Sequence, residues 1–95
     1  MFVRVYAHFA QKGKEAEAKK FLDEFAKDVK KSPDSVQMYK LVSENDPTKI
    51  TTVTAWKSKE AWQKWNDARK AKAAQAGGDS HSLWVKVEGD NYNSF

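Results

Sequence analysis

No cysteine occurs in these 95 residues. Its absence removes disulfides, thiolate nucleophiles and cysteine-based zinc or iron–sulfur sites together. No apolar run approaches the ~20 residues needed to span a membrane, and the opening MFVRVYAHF lacks the charged, apolar and cleavage regions of a signal peptide. No Ser/His/Asp order, phosphate loop or zinc spacing is present either. The expectation is a cytoplasmic protein with no membrane partner.

What is present fits one small folded domain over residues 1–95. Forty per cent apolar and 13% aromatic content is ordinary for a globular chain. A domain of this size buries only roughly 60 to 65% of its unfolded surface, so an interface with a second copy would add stability. The net charge of +4 suits an anionic partner. The lysines, however, are interspersed with acids along both helical stretches, the pattern of solvated faces, and no nucleic-acid partner is expected.

The segment Phe2–Ala10 alternates Val3, Val5, Ala7 and Phe9 with Phe2, Arg4, Tyr6 and His8, which is strand periodicity with different chemistry on each face. Gly13 punctuates the turn that follows. From Lys14 to Lys31 the apolar positions Ala18, Phe21, Leu22, Phe25, Ala26 and Val29 fall at helical spacing. Glu15 and Glu17 in the first turns and Lys30 and Lys31 in the last suit the helix dipole, and Ser32-Pro33-Asp34 ends the helix. Ser35–Ser43 reads as a strand with both faces partly covered. Glu44-Asn45-Asp46-Pro47 reads as a hairpin turn, and Lys49–Trp56 as a third strand rich in β-branched residues. Ser58 is the expected N-cap of a second helix. Ala61, Trp62, Trp65 and Ala68 lie along one side of it, continued by Arg69 or by Ala71 and Ala73, and Gly77-Gly78-Asp79 stops it. His81–Val87 is expected to be a short fourth strand, and residues 89–95 a polar tail.

The order β, α, β, β, α, β predicts an α+β, ferredoxin-like domain in which two helices cover one face of an antiparallel four-stranded sheet. The sheet of a second copy is the expected cover for the other face. Three of the four tryptophans, Trp56, Trp62 and Trp65, fall within ten residues at a strand-to-helix corner. Trp56 ends a strand and reads as structural. Trp62 and Trp65 are either platforms for an aromatic ligand or plugs between helix and sheet. Arg4, Tyr6 and His8 share one strand face. If that face lines a pocket, Tyr6 could serve as proton donor, His8 as base and Arg4 as anion clamp around a phenol or quinol; otherwise the three are simply hydrated. Asn66 and Arg69, beside and one turn beyond Trp65, complete the polar candidates, with Arg69 able to meet a carboxylate.

The run TVTAWKSKEAWQKWNDARKAKAAQ resembles the strand-to-helix corner of the antibiotic biosynthesis monooxygenase (ABM) superfamily. Within it, the run is similar to the Isd-type heme-degrading branch, whose helix begins with a similar Trp-Lys-Ser-Lys and carries a second Trp nine residues on. The strand closing on Lys12-Gly13, the Ser-Pro-Asp break and the Asn45-Asp46-Pro47 hairpin extend the likeness over essentially the whole chain. The resemblance implies a homodimer whose sheets form a shared α/β barrel, with a pocket in each subunit. It also implies monooxygenase chemistry on a planar aromatic substrate (a quinol, an anthrone or heme) with molecular oxygen, requiring no cofactor or involving heme. In the heme-degrading branch a strand Asn, a helix Trp and an axial His do the work. The Trp corresponds to Trp65, whereas Tyr6 stands at the Asn position and Gln75 near the His position. His81 is the substitute ligand to consider.

The candidates are therefore Tyr6, His8 and Trp65 for catalysis, and Arg4, Trp62, Trp65, Asn66 and Arg69 for substrate binding, with His81 for a cofactor. A non-catalytic dimeric module binding heme or another ligand is the alternative. An RNA-recognition motif shares the element order but stacks bases on aromatics of its first and third strands. Here the third strand has no aromatic before Trp56 and lacks the basic-Gly-aromatic signature.

Overall fold

A computed structural model describes residues 1–76 and 83–95, the side chains of residues 72–76 excepted. The elements run β1 (Phe2–Ala10), α1 (Glu15–Lys31), β2 (Ser35–Val42), β3 (Lys49–Trp56), α2 (Lys59–Ala76) and β4 (Trp84–Asn93). The strands form one sheet in the order β2-β3-β1-β4, with every neighbouring pair antiparallel. This is the ferredoxin-like α+β arrangement expected from the element order. None of the described helices is long and apolar enough to cross a membrane.

Local chemistry sets most of the boundaries. Gly13 adopts φ 89°, a conformation open to glycine at little cost, and its N–H donates to Glu15 Oε1 at 3.1 Å, starting α1. At the other end Ser32 is extended, as a residue before proline must be. The β2–β3 turn is tied by Ser43 Oγ, which accepts from the backbone N–H groups of Asn45 and Asp46 at 3.2 Å each. Ser58 caps α2 as expected, its Oγ accepting from the Ala61 N–H at 3.1 Å. Such a cap contributes about 1 kcal/mol.

Two expectations need correction. β4 runs to Asn93, so the segment read as a polar tail is strand. It pairs with β1 over the whole of that strand, from Ala10↔Trp84 to Phe2↔Asn93. Being an edge strand, it is held by backbone hydrogen bonds and leaves most side chains in water, which erases the apolar alternation. β2, expected to be partly covered on both faces, is mostly exposed in the single chain.

The core sits between the helices and one face of the sheet, in two groups. Ala10, Ala18, Leu22 and Ile50 are packed near one end of β1; Phe2, Val29 and Trp56 near the other. Trp56 is fully buried, in keeping with a structural role, and its indole meets Trp65 at 5.1 Å between ring centroids. Between these two groups lies the middle of β1, with Arg4, Tyr6 and His8 turned toward the helices. The opposite face carries Val3, Val5, Ala7 and Phe9, with Tyr39, Leu41 and Tyr92 half exposed on the flanking strands. Among the described residues no element covers it.

Candidate functional site

The period-two alternation of β1 puts Arg4, Tyr6 and His8 on one face, and both helices lie over that face. The result is a cavity of about 290 Å3. Its floor is Arg4, Tyr6 and His8 from β1 with Thr52 and Thr54 from β3. One wall is Phe21, Leu22 and Phe25 from α1, and the other is Trp62, Trp65, Asn66 and Arg69 from α2. Trp84 and Val87 of β4 close the side. Seven of the eight candidate residues thus meet around one space. The eighth, His81, lies outside the described residues.

Trp62 and Trp65 belong to wall and core at once. Trp65 Nε1 donates to the Asp28 carbonyl at 3.2 Å, and its ring meets Phe25 edge-on at 5.7 Å. Trp62 packs on Phe2 at 5.7 Å and receives the Arg4 guanidinium on its face at 3.8 Å. Arg4 also stands 4.4 Å from the Tyr6 ring centre, so its planar cation lies between two aromatic faces. Arg69 stacks in the same way on Phe25 at 4.7 Å. It is Arg69, with its stem along these rings, that continues the inward stripe of α2; Ala68 and Ala71 are exposed.

His8 has a fixed tautomer. Its Nδ1 lies 3.2 Å from the Ile50 carbonyl oxygen, and a carbonyl only accepts, so in the neutral ring Nδ1 carries the hydrogen and Nε2 the lone pair. The ring packs on Trp84 at 5.0 Å and on Tyr6 at 6.0 Å. Burial among these groups lowers the imidazole pKa from its ordinary value, partly offset by the bond to Ile50. Around neutral pH His8 is therefore an uncharged base in an aromatic setting.

Tyr6 owes its position to Gly89, its partner across the β1–β4 ladder. A Cβ on Gly89 would sit 2.2 Å from Tyr6 Cε1, so the phenol ring lies flat over the bare backbone of β4. Glycine within a strand commonly marks such a close approach.

The sequence did not single out Phe21, Phe25, Thr52, Thr54, Trp84 or Val87. Phe21 and Phe25 were legible as the apolar stripe of α1, without a sign that they face a space. Trp84 had the clearest available signal, an indole at the start of the last strand.

The site is thus an aromatic-walled pocket between the helices and sheet of a ferredoxin-like α+β domain, with an imidazole and two stacked guanidinium groups inside. The chain belongs to the antibiotic biosynthesis monooxygenase family, whose sequence profile matches residues 1–77. No functionally curated protein matches it. Solved structures with the same fold include a Pseudomonas aeruginosa protein with TM-score 0.85 and 11% identity, covering 99% of this chain and 93% of that one. A mutant of SnoaB, a cofactor-independent oxygenase from Streptomyces nogalater, aligns with TM-score 0.77 and 15% identity over 98% of this chain and 91% of that one. MhuD, a heme-degrader from Mycobacterium tuberculosis carrying two hemes in its active site, aligns with TM-score 0.76 and 24% identity over 99% and 95% of the two chains.

Proposed function

We propose that this protein is a monooxygenase that oxidises a planar, fused-ring phenol, of the quinol or anthrone kind, with molecular oxygen and no cofactor. The observation that carries the proposal is His8: a half-buried imidazole with its proton fixed on Nδ1, its Nε2 free to act as a base, among aromatic side chains that line the cavity. His8 takes the proton from the substrate's hydroxyl or activated methylene. The resulting anion passes one electron to oxygen, and recombination of the pair forms a carbon–peroxide bond. For an anthrone, loss of water from that peroxide leaves a carbonyl. One oxygen atom then resides in the product and one in water, and the substrate has supplied both electrons needed. Trp62 and Trp65 hold the ring plane, Tyr6 donates a hydrogen bond to the developing oxyanion, and Asn66 contacts the substrate's polar edge.

Heme as the substrate has less support. A cavity of about 290 Å3 is at the lower end of the ~300–1,000 Å3 common for ligand pockets.

Oxygen uptake with dithranol, a dihydroxyanthrone, tests the proposal. One oxygen consumed per anthrone, with the anthraquinone as product and a rate well above the buffer blank, is expected. If dithranol, a naphthoquinol and hemin with a reductant all give only the blank rate, the oxygenase assignment fails. Saturable binding without uptake would leave a non-catalytic ligand-binding module on the same fold.

The uncovered sheet face supports a homodimer. Val3, Val5, Ala7 and Phe9 on the central strand, flanked by half-exposed Tyr39, Leu41 and Tyr92, make an apolar surface suited to a second sheet of the same kind. Light scattering should give twice the 10.8 kDa subunit mass. A persistent monomer at high micromolar concentration would argue against the shared barrel.

A further inference from the structure

The helix-facing positions of β3 are Ile50, Thr52, Thr54 and Trp56, and all four are buried. Ile50 and Trp56 belong to the two core groups; the two threonines between them lie on the cavity floor. Thr52 is 1% exposed and Thr54 5%. Valine has nearly the same shape and suits a strand as well, and an unpaired buried hydroxyl costs about 1–3 kcal/mol. Packing alone therefore favours valine at both positions.

No hydrogen bond among the described residues uses either hydroxyl. Nor is either sealed off without a partner, a condition met among those residues only by Arg4 Nε and Trp56 Nε1. The hydroxyls of Thr52 and Thr54 thus open into the cavity. Strand register explains why nothing covers the first of them. Thr52 pairs with Tyr6, and Tyr6 with Gly89 on its other side. The phenol ring leans onto Gly89, so the one large side chain of that row is turned away from β3. His8, which pairs with Ile50 and bonds to its carbonyl at 3.2 Å, is the diagonal neighbour of Thr52 on the same face. Thr54 pairs with Arg4, a further row away.

We infer that Thr52 is a catalytic residue whose hydroxyl donates a hydrogen bond to the terminal oxygen of the peroxide formed when oxygen adds to the substrate. This deepens the oxygenase reading above and rests on it. A neutral hydroxyl costs less to bury than a cation and still strengthens its bond as the acceptor gains negative charge, so it favours superoxide and peroxide over dioxygen itself. Once the substrate anion has given one electron to oxygen, the radical and superoxide combine to form the carbon–oxygen bond. The imidazolium of His8 returns its proton to the terminal oxygen, leaving a hydroperoxide. His8 then takes the remaining hydrogen from that carbon, the carbonyl forms as the O–O bond breaks, and the departing hydroxide recovers the proton as water. Thr52 donates throughout and transfers no proton.

Thr52→Val keeps the shape and removes the donor. Anaerobic dithranol affinity, read by quenching of tryptophan fluorescence, should remain native. Anthraquinone formation should fall on the order of 100-fold, as for loss of one oxyanion donor. Part of the oxygen consumed should appear instead as hydrogen peroxide from escaped superoxide, with the freed carbon radicals coupled to the 10,10′-dimer. Thr52→Ser, which restores the hydroxyl, should return quinone yield and coupling toward native. Native quinone yield in Thr52→Val overturns the inference, as does a loss that serine does not rescue, which would be a packing effect. Anaerobic affinity that falls in step with turnover also overturns it, by moving the hydroxyl's contact from the peroxide to the substrate. These three results leave the oxygenase reading standing. Only the blank rate from the native protein overturns both.

Discussion

Replacing His8 with glutamine is expected to lower anthrone turnover by about 100- to 10,000-fold, the usual contribution of a positioned general base. Glutamine can still donate to the Ile50 carbonyl that His8 contacts at 3.2 Å, so the sheet register and the floor of the cavity are retained. What disappears is the lone pair on Nε2. Dithranol affinity should stay within a few-fold of native, which separates a base from a mere packing group. The pH dependence is a second readout. Burial lowers the imidazole pKa below its ordinary 6.5, so the acidic limb of the rate profile should fall below that value in the native protein and be absent in His8→Gln. A native and a variant profile of the same shape would remove His8 from the mechanism.

The same shift has a stability consequence of definite sign. The unfolded chain binds this proton more tightly than the folded one, so stability rises with pH between the folded and unfolded pKa values. The contribution of neutral His8 is fully present above about pH 6.5 and is lost as pH falls through the window below it. His8→Gln should flatten that part of a melting curve series. Asp23 and Asp46, whose pKa values are lowered chiefly by hydrogen bonds from Lys40 and Thr48 respectively, act in a separate, more acidic window.

Gly89→Ala is expected to cost about 1–3 kcal/mol, the range for overpacking, and to impair turnover. The added methyl group would lie 2.2 Å from Tyr6 Cε1 and 2.4 Å from Cδ1, far inside contact distance. Both residues are on paired strands, so the backbone cannot easily give way. The phenol must swing off β4 into the cavity, where it would disturb the Arg4 stack at 4.4 Å. A double-mutant cycle isolates the clash: in a Tyr6→Ala background the cost of Gly89→Ala should nearly disappear, because the two changes share one contact. Additive costs would show that Gly89 matters for some reason other than the ring above it.

Much of the site was legible because its residues repeat at the spacing of their elements. Arg4, Tyr6 and His8 are two apart on a strand; Trp62, Trp65, Asn66 and Arg69 are three, one and three apart on a helix. Each set could be assigned to one face before any packing was known. The second half of β4 escaped because EGDNYN carries polar groups on both faces, and an edge strand is held by backbone hydrogen bonds that periodicity does not record. Phe21 and Phe25 escaped for another reason. An apolar stripe looks the same whether it meets a filled core or an open space.

The sequence by itself determined the element order, the antiparallel hairpin at Ser43–Thr48, the N-cap at Ser58 and the grouping of side chains by face. It left open whether the face of β1 bearing Arg4, Tyr6 and His8 meets water or the helices. Alternation fixes which residues travel together; only the handedness of the β-α-β crossovers decides which side of the sheet the helices cover. Once they lie over the polar face, Phe2 and Ala10 close the ends with core and the middle stays unfilled. Two guanidinium groups, one imidazole and a wall of indoles then share a cavity, because long-range packing brings together groups from three strands and two helices that no local pattern connects.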